Sequence, residues 1–432
     1  MAYLRIRSKP LNGSIMAQPS KSMAHRAIIC ASLAKGKCKI DNVVLSDDIN
    51  ATLGAVASLG VEIKIEDSLN YNGRKLITIN SKGYISSEEK VIDCIESGST
   101  ARFMMPITRL DSSPSTLTGS GRLKERPFEI YKNLFTDKGI NYKDNEGKMP
   151  ISLSGKLIPG TFELSGNVSS QFVSGLLFAL PLLEESSEIN ITGDLQSLPY
   201  IQMTINVLNE FGIDIEHDDD YKCINIPGNQ SYKAVPYYIV EGDWSQAAFF
   251  CVMGAISGQL TLKGLNLDSL QGDKIILDIL KEMGASPEIS EQGITFKRSE
   301  LKGIIIDVSQ CPDLVPAITV AASKAEGVTS IINGARLRIK ESDRLMTTCR
   351  ELNALGADII EKKDGLIIKG MPCLNGGKAF GSGDHRIVMA VASASTICSG
   401  DVEIEGYEAV KKSYPEFWDD FISLGGEVEF YE

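Results

Sequence analysis

The sequence predicts an α/β (α+β) protein of two similar domains, each assembled from three βαβαββ units. Three observations carry that expectation. First, a helix-ending signature recurs six times, at S-L-G-V-E-I, D-K-G-I-N-Y, E-F-G-I-D-I, E-M-G-A-S-P, A-L-G-A-D-I and S-L-G-G-E-V. Its glycines, Gly60, Gly139, Gly212, Gly284, Gly356 and Gly425, lie 79, 73, 72, 72 and 69 residues apart. Second, each copy carries an earlier helix with a polar start and a small, apolar body. Third, 432 residues exceed one ordinary domain, while a period near 70 is too short for six independent cores. Units that share cores in groups of three fit both limits, with a boundary near residue 240, where E-G-D-W opens the fourth copy.

Each element follows from local chemistry. Glycine just past a helix end takes the left-handed capping conformation at little steric cost. The alternation after it predicts strands with one buried face. The earlier helices begin near Ser20-Lys21-Ser22, Ser97-Gly98-Ser99-Thr100, Ser169-Ser170-Gln171, Asp243-Trp244-Ser245-Gln246, Pro312-Asp313 and Gly383-Asp384-His385-Arg386. Ser and Asp are the side chains that cap free amides of a first turn. Short strands such as Val328 to Ile332 and Val402 to Ile404 follow, and then loops, often charged. A second helix leads to each capping glycine, and Pro127, Pro199 and Pro415 suit the first turns of three of these.

Composition narrows the function. Apolar content of 43% and charged content of 23% describe a globular chain. A net charge of -12 argues against a general binder of nucleic acid or anionic membranes. No apolar run reaches the roughly 18 residues that span a bilayer, and M-A-Y-L-R-I-R reads as a strand and not a signal peptide. Nine scattered cysteines without a C-x-x-C suggest reduced thiols and a cytoplasmic setting, and three histidines without paired spacing make a zinc site unexpected.

Within this acidic chain the cations are concentrated. G-S-G-R-L-K-E-R-P carries Arg122, Lys124 and Arg126. G-A-R-L-R-I-K-E-S-D-R-L carries Arg336, Arg338, Lys340 and Arg344, with Glu341 and Asp343 among them, and V-K-K-S-Y-P carries Lys411 and Lys412. Any one of these could be a solvated loop. Helix starts are themselves anion sites, through spare N–H groups and the positive end of the dipole. In P-S-K-S-M-A-H-R, Lys21 and Arg26 stand beside such a start. Starts that recur at one structural position can converge at one end of each half, giving a cleft for substrates bearing phosphate and carboxylate. Asp313 reads equally as a helix cap or a catalytic carboxylate, and Asp343 as a salt-bridge partner. No nucleotide-binding glycine loop and no G-x-S-x-G elbow is present.

These motifs taken together resemble a known family. P-S-K-S-x-x-x-R, G-x-G-R-L-K-E-R-P, S-S-Q-F, the L-R-I-K-E-S-D-R loop, G-D-H-R and K-S-Y-P are similar, in this order and over nearly the whole chain, to the 5-enolpyruvylshikimate-3-phosphate synthases. The resemblance implies the enolpyruvyl transferase fold, an inside-out α/β barrel in each domain. It places residues 1–19 with 241–432 in one domain and 20–240 in the other. It further implies transfer of the enolpyruvyl group of phosphoenolpyruvate to the 5-hydroxyl of shikimate 3-phosphate, through a tetrahedral intermediate. No metal or organic cofactor is implied, and neither nucleic acid nor membrane is a partner. A monomer is expected, as is inhibition by glyphosate, since Gly98 is kept.

By the same resemblance Asp313 takes the hydroxyl proton, and Glu341 and Lys21 share the remaining proton transfers. Lys21, Gly98, Arg122, Gln171, Arg344, Arg386 and Lys412 match positions that hold phosphoenolpyruvate. Lys21, Ser22, Arg26, Ser169, Ser170, Gln171, Ser197, Tyr200, Asp313 and Lys340 match the shikimate 3-phosphate site. Three departures stand out: Glu96-Ser97-Gly98-Ser99 replaces the usual N-x-G-T, Phe103 replaces a proline, and Arg336 occupies a position that is usually neutral or acidic. The related transferase that acts on UDP-N-acetylglucosamine usually carries a cysteine in the loop near residue 120, and this loop has none. A non-catalytic binder on the same scaffold would keep the arginines but could lose Asp313 or Glu341, and both are present.

Overall fold

The computed structural model describes residues 2–83, 88–167 and 169–431. All six signature glycines adopt positive φ, from 74° at Gly212 to 112° at Gly284. Each turns the chain out of a helix into a strand, as at Gly356, between helix Arg344–Ala354 and strand Asp358–Lys362. The strands form six four-stranded sheets among the described residues.

One repeat shows the build. Strand Lys90–Asp93 lies parallel to Ser115–Thr118, with helix Gly98–Ile107 as the crossover between them. Helix Glu129–Asp137 then leads into the hairpin of Asn141–Asn145 with Lys148–Ser154, whose second strand pairs antiparallel with Ser115–Thr118. Sheets around Ser187–Thr192 and Val328–Ile332 repeat this order.

Three sheets depart from the simple run of units. Asn12–Met16 does not join the first repeat; it pairs in parallel with Gln259–Lys263 of the fourth. The first repeat instead takes Tyr238–Ile239, parallel to Gly36–Val43. The last repeat ends with one strand of its hairpin, Glu427–Tyr431. Tyr3–Arg7 supplies the other, antiparallel to it and to Val402–Glu405. The tandem βαβαββ pattern is therefore closed by strands exchanged between distant parts of the chain. Two prolines are also displaced from the expected positions. Pro199 sits in the first turn of Leu198–Glu210, but Pro127 and Pro415 each lie two residues ahead of a helix.

The chain divides into two compact units, Met1–Gln18 with Gly242–Glu432, and Pro19–Glu241. Each has its own apolar core. Three helices per unit are central: Lys21–Leu33, Gly98–Ile107 and Ser170–Ala179 in one, Trp244–Ile256, Val315–Lys324 and His385–Ser395 in the other. Their small, apolar bodies allow burial on all sides, while strands such as Thr161–Ser165 alternate buried and exposed residues. In these six helices only Lys21, Ser22, Ser99, Gln171, Ser245 and Lys324 escape full burial. All but Lys324 lie in the first two positions of their helix, so the starts are where the central helices reach the surface. No helix among the described residues is long and apolar enough to cross a membrane.

Candidate active site

Five of the six central helix starts are capped as their residues dictate. Ser20 accepts from the amide of Met23, Ser97 from Thr100, Ser169 from Gln171, Asp243 from Gln246 and Asp384 from Arg386. The sixth differs. Asp313 lies inside the short 3-10 turn Pro312–Leu314 that precedes Val315–Lys324, and its carboxylate is engaged by cations.

In the unit Pro19–Glu241, Lys21 is the first residue of its helix, and its ammonium lies 2.6 Å from the buried carboxylate of Asp48. Ser22 follows it, and its carbonyl accepts from Arg26 Nη1 at 2.7 Å. Arg26 is only 2% exposed. Its Nε donates to Thr204 Oγ1 at 2.9 Å, and Nη2 donates to the carbonyl of Tyr200 at 3.0 Å. Burial pulls this guanidinium down to about 10. The phenyl ring of Phe103 lies under it, 5.5 Å from ring centroid to Cζ.

Gly98 opens its helix against two guanidiniums. A Cβ there would stand 2.6 Å from Arg126 Nη1 and 2.9 Å from Arg102 Nη1, so only glycine leaves room for both. Arg102 Nη1 donates to Gln171 Oε1, and Gln171 Nε2 donates to Ser99 Oγ, each at 2.8 Å. The amide of Gln171 thus binds the helix of Gly98 at both ends. Ser169 caps the helix of Gln171, and Ser170 is buried in its first turn. Ser197 takes φ 56° ahead of Leu198–Glu210, and Tyr200 lies half-buried in that helix's first turn. Arg122 is exposed on the turn Gly121–Glu125.

The other unit holds a denser ionic cluster. Arg344, 1% exposed, begins its helix after the cap Asp343. Its Nη1 reaches Asp313 Oδ1 and its Nη2 reaches Glu341 Oε2, both at 2.7 Å, while Nε meets Asp384 Oδ2 at 2.8 Å. Lys340 Nζ is 3.3 Å from the same Asp313 oxygen. Arg386 approaches the other Asp313 oxygen at 3.5 Å and donates to the Asp313 carbonyl at 3.1 Å. Asp343 stays structural: it caps the helix and pairs with Arg338 at 2.9 Å. Lys412 is buried at the end of the turn Tyr407–Lys412. Arg336 donates to the carbonyl of Ser309 at 3.0 Å.

Opposing effects set the proton affinities. Burial pushes the Asp313 carboxyl up, but Lys340, Arg386 and Arg344 together outweigh it and hold it well below the usual carboxylate range. Burial lowers Lys340, and Asp313 only partly restores it. Asp273, buried and accepting from the Ser245 hydroxyl, is pushed up to about 6 by burial and by the charge of Asp313. The cluster is a set of cations balanced by carboxylates, which suits exchange of a carboxylate for an incoming phosphate.

Two groups follow from this geometry. Lys21, Ser22 and Arg26 share one helix start, and Gly98 and Gln171 are bonded partners through Arg102 and Ser99. Asp313, Lys340, Glu341, Arg344 and Arg386 form one contiguous cluster. Asp48 and Arg102 were missed from the sequence, whereas Arg126 and Asp384 stood there in a basic loop and at a helix start without being assigned to the site. Arg102 carried a signal, since four residues along a helix place it above Gly98.

A sequence profile of the family described as EPSP synthase (3-phosphoshikimate 1-carboxyvinyltransferase) matches residues 6–421. The chain is similar to the 3-phosphoshikimate 1-carboxyvinyltransferase of Clostridium kluyveri, at 49% identity over 430 residues that cover 99% of each chain. It is similar also to that of Clostridium acetobutylicum, at 48% identity over 99% of this chain and 98% of the relative. Its structure resembles that of EPSP synthase from Acinetobacter baumannii, with a TM-score of 0.80, 26% identity and full coverage of both chains.

Proposed function

The chain belongs to the EPSP synthase (3-phosphoshikimate 1-carboxyvinyltransferase) family, and on that premise we propose how its side chains divide the work. The enzyme transfers the enolpyruvyl group of phosphoenolpyruvate to shikimate 3-phosphate, a step of the shikimate pathway. The methylene carbon of phosphoenolpyruvate is protonated, and the adjacent carbon becomes cationic. The 5-hydroxyl attacks it and loses its proton, giving a tetrahedral intermediate. Loss of phosphate and of one proton from the new methyl group restores the enol ether. The chemistry needs an acid at the methylene, a base at the hydroxyl and cations on two phosphates.

Asp313 is the base in this proposal, and Glu341 and Lys21 share the remaining proton transfers at the enolpyruvyl carbon and the hydroxyl. Lys21, Gly98, Arg122, Gln171, Arg344, Arg386 and Lys412 hold phosphoenolpyruvate. Lys21, Ser22, Arg26, Ser169, Ser170, Gln171, Ser197, Tyr200, Asp313 and Lys340 hold shikimate 3-phosphate. The observation that carries this reading is Arg344, bonded at once to Asp313, Glu341 and Asp384. An Asp313 carboxylate so surrounded by charge is a weak base. Substrate anions that draw Arg344, Arg386 and Lys340 toward themselves raise its basicity when the hydroxyl arrives. Binding and base activation thereby become one event.

Phosphate release from phosphoenolpyruvate tests the assignment. The proposal requires release with both substrates and its loss in Asp313→Ala; binding of shikimate 3-phosphate without turnover would instead favour a non-catalytic binder. A cytoplasmic setting and a monomeric state complete the proposal; the setting is supported by nine cysteines that are all free thiols, six of them buried.

A further inference from the structure

Behind the helix starts of the unit Pro19–Glu241 runs a chain of buried polar side chains to which the reaction assigns no task. It joins His25 on Lys21–Leu33, Thr52 on Asp47–Ala57, and Thr100 and Ser97 at the start of Gly98–Ile107. None of the four is more than 1% exposed. His25 Nδ1 lies 2.6 Å from Thr52 Oγ1, Thr52 Oγ1 lies 2.7 Å from Thr100 Oγ1, and Thr100 Oγ1 lies 2.8 Å from Ser97 Oγ.

Counting hydrogens fixes the direction of this chain. The Thr100 hydroxyl donates to Ser97, so its single hydrogen is committed. Thr52 must then donate to Thr100, and His25 Nδ1 must donate to Thr52. His25 therefore carries a proton on Nδ1, and its buried Nε2, which has no hydrogen-bond partner, holds a bare lone pair when the ring is neutral. The opposite polarity would bury an unpaired N–H at Nε2 and reverse the Thr100 bond. Burial disfavours the charged ring, Lys21 and Arg26 disfavour it further, and Asp48 opposes them without prevailing. Phe103 adds a second tie. It lies three residues beyond Thr100 on the same helix, with its ring edge-on to His25 at 6.5 Å and under Arg26.

We propose that His25 and Thr52 are positioning residues, whose hydrogen-bond chain of fixed polarity holds the helix start at Lys21 in register with the one at Gly98. The inference rests on the reading of Lys21 and Gly98 as phosphoenolpyruvate contacts. Thr52 is the middle link: it touches both helices and lies outside the proposed set of binding residues. Phe103, which stands where the family usually has proline, contributes the packing half of the same tie.

Two experiments decide it. In the ligand-free enzyme labelled with 15N-histidine, the His25 signals should report a protonated Nδ1 and a bare Nε2 at neutral pH. The opposite tautomer, or an imidazolium, would overturn the chain whatever the enzyme's activity. Kinetically, Thr52→Val should raise KM for phosphoenolpyruvate at least about fivefold with kcat within about twofold, and Thr52→Ser should restore it. Unchanged KM in Thr52→Val would overturn the positioning role, as would a serine variant as impaired as the valine one. Should Thr52→Val not fold, Thr100→Val breaks the chain one link on and is read the same way. Lack of any phosphate release by the wild type would instead fail the functional reading and leave the 15N result standing.

Discussion

Arg344 is the side chain on which most of the proposed chemistry converges. Its three guanidinium nitrogens meet three carboxylates, so removing it leaves Asp313, Glu341 and Asp384 to repel one another as well as deleting a substrate contact. A charge-assisted hydrogen bond contributes about 1.5–3 kcal/mol, so Arg344→Ala should lower kcat/KM at least about tenfold. Activity within about threefold of wild type would remove Arg344 from the binding set. His25 makes a different prediction. Its pKa is lowered to about 3 from 6.5, so below pH 6.5 the unfolded chain binds a proton that the folded one does not. Stability is then lost as pH falls, by about 2 kcal/mol between pH 7 and pH 5 from this group alone. His25→Asn lacks that loss, and urea midpoints of the two proteins should converge as pH falls. Parallel midpoints would contradict the neutral, buried histidine.

At the scale of elements, the helix starts were legible in the sequence because capping is local. Ser20, Ser97, Ser169, Asp243 and Asp384 satisfy amides two or three residues away, and small, apolar bodies mark the helices they begin. The ion-pair partners were not legible. Asp48 lies 27 residues from Lys21, and Asp384 lies 40 from Arg344, distances that no local pattern spans. Asp48 also lies in the first turn of its own helix, a place that suits an acidic residue without any distant partner. Gly98 shows how an element's start constrains the site. In Gly98→Ala the new methyl group would crowd Arg126 and Arg102, displacing at least one guanidinium. Loss of one such contact predicts a rise of about tenfold in KM for phosphoenolpyruvate, while the Tm should change little. An unchanged KM would mean that neither arginine contributes to the pocket.

At the scale of the molecule, the six-fold repeat could be read from glycine spacing, but its closure could not. Tyr3–Arg7 carries the alternation of an ordinary strand, and nothing in it names Val402–Glu405 and Glu427–Tyr431 as neighbours. Leu4 and Ile6 are fully buried there, in the core of the last repeat. Leu4→Ala should cost about 2–5 kcal/mol. Hydrogen exchange should then rise in Glu427–Tyr431 well before it rises in the unit Pro19–Glu241. Equal loss of protection in both units would contradict the separate cores. The proposed mechanism turns on Asp313 acting as the base within a cluster of cations. Its direct test is phosphate release in wild type and Asp313→Ala, with each substrate alone and with both. Wild type should release phosphate only with both substrates, and the variant should be slower by at least about a hundredfold, the range of general base catalysis. Release by Asp313→Ala within about threefold of wild type would contradict it.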